Sequence, residues 1–262
     1  MNSEISSAFS NFSDQLLGYL YRLTANKQDA EDILHDTFIR ASEKYHLFKG
    51  ESSLKTWVFS IATNIARDQQ RVKRRWELDA QDTCRKAAES DPKNLEKIFG
   101  SFRSQTEQKF ELEEHINYCF TYIAKNLSLE KQIAIILKEV YEFKRNEIAD
   151  ILNLSEGVVK HLLFEGRKEL QDKYHHRCAI INKQGMCYQC AELNDTLQGY
   201  SDSEIKLNAL GMKPENSPEK NLDLRMNIIR SIHPLNGNGA KVEETIMQIL
   251  WESLGENDSR KI

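Results

Sequence analysis

The scarcity of helix breakers constrains this chain more than any other feature. Only four prolines and eleven glycines punctuate 262 residues, and both residue types are costly inside a helix. Between them, apolar side chains recur at three- and four-residue spacing, while the strict alternation of a half-buried strand is hard to find. That pattern predicts an all-α protein. The length exceeds the usual 100–200 residues of one domain, so two or three modest helical units are expected.

From Ile5 to Leu23 the set Phe9, Phe12, Leu16, Tyr19, Leu20 and Leu23 falls on one helical face. Asn26 is suited to cap a second helix running to about Lys44. A loop, Phe48-Lys-Gly-Glu-Ser-Ser, leads to a third helix from Ser53 to about Arg75, which buries Leu54, Val58, Ile61 and Ile65 and ends in Arg67, Arg71, Lys73, Arg74 and Arg75. Residues 76–109 carry Asp91-Pro92, Gly100 and weak periodicity, as a linker does. Helical spacing resumes through Ile116, Phe120, Ile123 and Leu127, then Ile133, Ile136, Leu137 and Val140. Asn146-Glu-Ile-Ala-Asp-Ile-Leu, a turn at Asn153-Leu-Ser, and a helix opened by Ser155 predict a helix-turn-helix. A polar stretch with Pro214 and Pro218 follows, and Val242 to Leu254 reads as a last amphipathic helix.

Lys plus Arg total 36 against 40 for Asp plus Glu, a formal charge of −4. This is not the balance of a non-specific nucleic-acid coat, so any nucleic-acid contact has to come from local basic patches. The N-terminus lacks a basic start followed by an apolar run, and no stretch approaches the ~20 apolar residues of a membrane span. A cytoplasmic protein with no membrane association is expected. Five cysteines, Cys84, Cys119, Cys178, Cys187 and Cys190, are an odd number in a reducing compartment, which favours metal or free thiols over a disulfide framework.

Asp29, Asp32 and Asp36 lie three and four residues apart, an acidic ridge opposite Ile33 or Leu34 and Phe38. On the third helix Trp57, Asn64 and Arg71 are seven residues apart, so an aromatic, an amide and a cation share a stripe. Such a row suits single-stranded DNA: the ring offers a stacking surface, the amide a base-edge reader and the cation a phosphate partner. The run Asp29-Ala-Glu-Asp-Ile-Leu-His-Asp-Thr-Phe-Ile-Arg-Ala with Phe48-Lys-Gly-Glu-Ser-Ser-Leu-Lys-Thr-Trp-Val-Phe-Ser-Ile-Ala-Thr-Asn-Ile-Ala-Arg-Asp resembles region 2 of the bacterial RNA polymerase sigma factors, of the small extracytoplasmic-function (group IV) type within the sigma-70 superfamily. The resemblance implies that Asp32, His35 and Asp36 contact core RNA polymerase, built on its β and β′ subunits. It also implies that Lys49, Ser52, Ser53, Trp57, Asn64, Arg67, Arg71 and Arg74 engage and melt the promoter −10 element, with the Lys49–Ser53 loop pocketing an extruded base.

The segment from Leu127-Ser-Leu-Glu-Lys-Gln through Glu147-Ile-Ala-Asp-Ile-Leu-Asn-Leu-Ser-Glu-Gly-Val-Val-Lys-His resembles sigma region 4, whose second helix reads the −35 element. A recognition helix docks by its N-terminal part, making Glu156, Val158, Lys160, His161 and Arg167 the candidate contacts. The sequence departs from the family at Leu162 and Glu165, where basic residues are usual, and an acidic side chain beside phosphates opposes the counterion-release term. Either the −35 element is unusual or a partner protein shares upstream recognition. The resulting organisation is region 2 over 1–75, a linker over 76–109, region 4 over 110–174 and a mostly helical extension over 175–262.

His175-His-Arg-Cys178 and Cys187-Tyr-Gln-Cys190 form H-x2-C-x8-C-x2-C, apt for a structural zinc held by Cys178, Cys187, Cys190 and either His175 or His176. A redox-sensing thiol set and buried unligated cysteines are the competing readings. No glycine-rich phosphate loop, nucleophile elbow or catalytic carboxylate pair is present, so an enzyme is not expected. The function expected is that of a sigma factor acting on core polymerase and promoter DNA, with an anti-sigma factor or DNA-targeting protein as a further partner. The alternative is a degenerate sigma or helix-turn-helix regulator brought to DNA by another protein.

Overall fold

The computed structural model describes residues 3–72, 112–178, 210–213 and 215–237, with isolated positions 244, 247 and 248. It is all-α, and among the described residues there is no strand. The linker, Cys187, Cys190 and most of the expected Val242–Leu254 helix lie outside the described residues.

The N-terminal unit has four helices where three were expected. The apolar run from Ile5 is split into α1 (Ser3–Ser10) and α2 (Ser13–Thr24). Tight turns, Asn11 N to Ala8 O and Phe12 N to Phe9 O, close α1, aided by Ser10 Oγ donating back to Ser6 O. The bend lets Phe9 pack edge-on against Phe38, with centroids 5.1 Å apart, while Phe12 tilts over Phe59. Ala25 then takes a left-handed conformation and donates to Tyr21 O, ending α2. Asn26 Oδ1 accepts from Asp29 N at 3.0 Å, starting α3 (Lys27–Lys44) as its sequence predicts. A short turn, Tyr45–Leu47, leads to α4 (Leu54–Val72), capped by Ser53 Oγ on Thr56 N. Leu16, Leu20 and Leu23 of α2, Ile33 of α3, and Val58, Phe59 and Ala62 of α4 are completely buried. Each large side chain so placed contributes about 1.5–3 kcal/mol.

The second unit comprises α5 (Leu112–Ala124), α6 (Leu129–Ile135), α7 (Arg145–Leu152) and α8 (Glu156–Arg177). After Ile135 the helix widens into a π-type turn over Ile136–Val140, with Tyr141 N reaching Ile136 O. Asn153 adopts φ 53° between α7 and α8, and Ser155 Oγ accepts from Val158 N. This is the expected helix-turn-helix. Gly166 lets α8 lie close on α6, for a Cβ there would come 2.7 Å from Ile135 Cγ1.

The extension, expected to be mostly helical, supplies one helix among its described residues, in a stretch read only as polar. α9 (Pro218–Ser231) is capped by Ser217 Oγ on Lys220 N, with proline in its first turn. Its buried face carries Leu222, Arg225, Met226 and Ile229, and it packs on α5, α8 and the π turn. The two units are also in contact: α4 lies along α7, where Phe59 meets Phe143 with centroids 4.9 Å apart.

Candidate nucleic-acid interface

α3 turns Ala30, Ile33, Thr37 and Ala41 inward and leaves Asp32, His35 and Asp36 exposed together. The acidic ridge therefore stands on a helix whose other face is fixed by packing. Its exposure leaves three hydrogen-bonding side chains open to a basic or polar partner surface.

The loop before α4 turns at Gly50, whose φ of 74° suits glycine. Lys49 and Ser53 are exposed and Ser52 is half-buried. Trp57 is half-buried, its ring tilted against Phe48 at 5.3 Å, and Phe48 stacks on Tyr45 in turn. Leu47, 61% exposed, flanks this aromatic group. Asn64 is exposed two turns along the same stripe. Arg71 falls in the last turn of α4, its side chain outside the described residues, as is Arg74. Arg67 does not join this row. Its Nη1 donates to Leu152 O at 3.4 Å and its Nη2 lies 3.7 Å from Glu130, so it faces the helix-turn-helix. Lys55 likewise sits over Phe143 and beside Glu147, and desolvation lowers its pKa. The loop, Trp57 and Asn64 are thus brought together, and Arg67 is drawn away.

On α8, Val158, Lys160 and His161 are exposed at the N-terminal end expected to meet DNA. Glu156 is exposed too, paired with Arg145 at 3.1 Å. Phe164 is 65% exposed and shares a face with Gly157, His161 and Lys168. Sequence reading missed it; the available signal is an aromatic off the stripe that packs inward through Val159, Gly166 and Leu170. Leu162 and Glu165, where the family is usually basic, are half-buried. Arg167 is held by Glu139, at 2.7 Å, and by Asp223 of α9. Those two carboxylates keep its charge off the exposed face.

Only part of the cysteine cluster is described. Cys178 is buried and its Sγ accepts a hydrogen bond from Arg225 Nη2 at 3.0 Å, while that guanidinium lies 4.3 Å over the Tyr174 ring. His175 is exposed one turn earlier. A hydrogen bond to sulfur is an outer contact of the kind that orients a metal-ligating cysteine, so Cys178 is compatible with a zinc ligand. Among the described residues no group of three or more potential ligands converges, and no helix there is long and apolar enough to cross a membrane.

Comparison with known proteins meets these surfaces at the same places. Residues 8–76 match the Sigma-70 region 2 family and residues 122–170 the Sigma-70, region 4 family. The ECF RNA polymerase sigma factor SigG of Mycobacterium tuberculosis is 28% identical over 177 residues, 60% of this chain and 45% of SigG. The alignment thus spans less than half of that relative's length. SigX of Bacillus subtilis, another ECF RNA polymerase sigma factor, is 26% identical over 171 residues, 62% of this chain and 79% of SigX. Among solved structures, the sigma factor RpoE in complex with the anti-sigma factor NepR from Bartonella quintana matches with a TM-score of 0.45 and 20% identity, over 65% of this chain and 96% of that one. With an acidic ridge and an aromatic-amide stripe inside the first match and a helix-turn-helix inside the second, the chain carries sigma-70 regions 2 and 4 and is a homologue of the ECF sigma factors.

Proposed function

We propose that this chain is an RNA polymerase sigma factor that docks on core polymerase and directs promoter recognition and melting. The observation that carries the reading is that one packed unit leaves two different faces open. Asp32, His35 and Asp36 of α3 form one, and the 49–53 loop, Trp57 and Asn64 form the other. The first suits attachment to a protein, and the second suits stacking and edge-reading of separated bases. Val158, Lys160 and His161 supply the upstream contact in the major groove. No residue is assigned a catalytic role. Purified core polymerase with this chain should start transcription at a defined promoter; duplex binding without core, and no initiation with it, would instead identify a regulator.

The regulator or partner-delivered reading has its own support in α8, where Glu156 is exposed and Arg167 is engaged elsewhere. An anti-sigma factor or DNA-targeting protein belongs to that reading. We further propose structural zinc bound by His175, Cys178, Cys187 and Cys190, supported by the paired x2 spacing and the Arg225 contact to Cys178. Such a site would tie the start of the extension to the end of α8. Metal analysis of the purified chain beside Cys187→Ser tests it: one zinc per chain in the wild type, lost in the variant, is expected.

A further inference from the structure

We infer that Pro218–Leu235 is an intramolecular clamp that holds regions 2 and 4 together and has to release before both promoter elements can be engaged. The inference rests on the sigma reading for its consequence, though not for the closure itself. The clamp lies beyond residue 170, where the region 4 match ends, so it is an addition to the matched regions.

Its contacts reach both units. Toward region 4, Arg230 donates to Glu139 O and lies 3.6 Å from the Glu139 carboxylate, and Asp223 pairs with Arg167. Toward region 2, His233 Nε2 lies 3.0 Å from Asp14 O. Gly18 permits this approach, since a Cβ there would be 2.9 Å from Tyr141 Oη and 3.0 Å from His233 Nε2. The three segments converge on Arg22 of α2, which is 1% exposed. It donates to Asn117 Oδ1 at 2.8 Å, Tyr141 Oη at 2.9 Å, and Ile229 O and Ile232 O at 3.3 and 2.7 Å.

These acceptors are all neutral, and Arg22 Nε is buried without a partner. The negative end of α9 offsets part of the cation's desolvation, but a buried charge with no carboxylate partner among the described residues remains expensive relative to an apolar residue. When the clamp lifts, water solvates Arg22 and that cost disappears. The junction therefore holds closed while opposing its own closure, as a releasable contact does.

Closure determines reach. Beneath the clamp α4 is fastened to the helix-turn-helix through Thr56 to Glu147 and Arg67 to Leu152 O and Glu130. Elements at −10 and −35 are about 25 base pairs apart, roughly 85 Å along B-DNA. α4 packs directly on α7, which adjoins α8, and helices about 10–12 Å across in such contact are too close to reach both. The α3 ridge stays exposed in the closed form, so polymerase docking is open while two-element engagement is not.

The full chain carrying Arg230→Glu and His233→Asp, which sets carboxylates against Glu139 and Asp14, tests this in two ways. Small-angle scattering without polymerase or DNA should show a larger radius of gyration with unchanged helical circular dichroism. Initiation at limiting sigma concentration should rise about tenfold, as the competent fraction of the chain rises. An unchanged radius in the folded variant overturns the clamp, as does expansion without faster initiation when the wild type initiates. Expansion with no initiation by either protein leaves closure standing and removes the sigma reading. If the double variant does not fold, Asp223→Lys, which sets a cation against Arg167 at the surface, is measured the same way with the same outcomes deciding.

Discussion

The two helices proposed to meet DNA, α4 and α8, use opposite strategies. α4 presents a ring, an amide and a turned loop, features that act on bases by shape and stacking, with Glu51 and Asp68 exposed beside them. α8 opens with Glu156 exposed, carries a protruding Phe164, and loses Arg167 to Glu139 and Asp223. Duplex affinity depends mainly on cations meeting phosphates, so α8 is the weaker reader by electrostatics alone. Under the proposed sigma function, promoter selection should rest more on the melted strand than on the upstream duplex.

The largest separation between the halves is expected on acidification. His115 of α5 is buried, and desolvation together with the Arg225 charge lowers its pKa from the ordinary 6.5 to about 4. The imidazole is thus neutral in the fold, and protonation favours the unfolded chain. Stability should be intact above pH 6.5 and fall as the pH drops toward 4, by up to about 3 kcal/mol. Urea unfolding at pH 7 and 4.5 checks this, and a His115→Asn chain with an equally steep pH dependence would refute the assignment. Hydrogen exchange should show the loss first in α5, α8 and α9, leaving α2 and α3 protected.

Next in size is the ring on α4. Trp57→Ala should weaken binding of a single-stranded −10 segment by about 1–3 kcal/mol, measured by anisotropy, with duplex −35 binding unchanged. Equal losses on both DNAs would erase the contrast between the helices. Smallest is the acid on α8: Glu156→Gln should tighten duplex binding by ~1 kcal/mol or less at low salt, the gain fading at high salt. Unchanged affinity across a salt titration would show that this end of α8 does not face phosphates.

Local chemistry was legible in the sequence wherever the partner is a near neighbour. Asn26 and Ser155 are caps because the backbone N–H donors they accept from lie three residues away, and Asn153 makes its turn through its own backbone. The break at Asn11 was hidden, since Phe9, Phe12 and Leu16 keep helical spacing straight through it. Arg67 and Arg167 were read as DNA contacts because a cation's partner across the fold, Leu152 O or Asp223, leaves no periodic trace. α9 did leave one: Ser217-Pro218-Glu219 is a helix start, and Leu222, Met226 and Ile229 keep its spacing. Its polar surroundings masked it.

The central claim, that α4 melts promoter DNA for polymerase, is tested most directly by permanganate footprinting of a promoter with core polymerase and either wild-type chain or Asn64→Ala. Asn64 is exposed, so its loss should change stability by no more than about 0.5 kcal/mol. The account predicts reactive thymines over the −10 element with the wild type and their loss with the variant at equal core binding. Equal reactivity with both chains, or none with either, would contradict it.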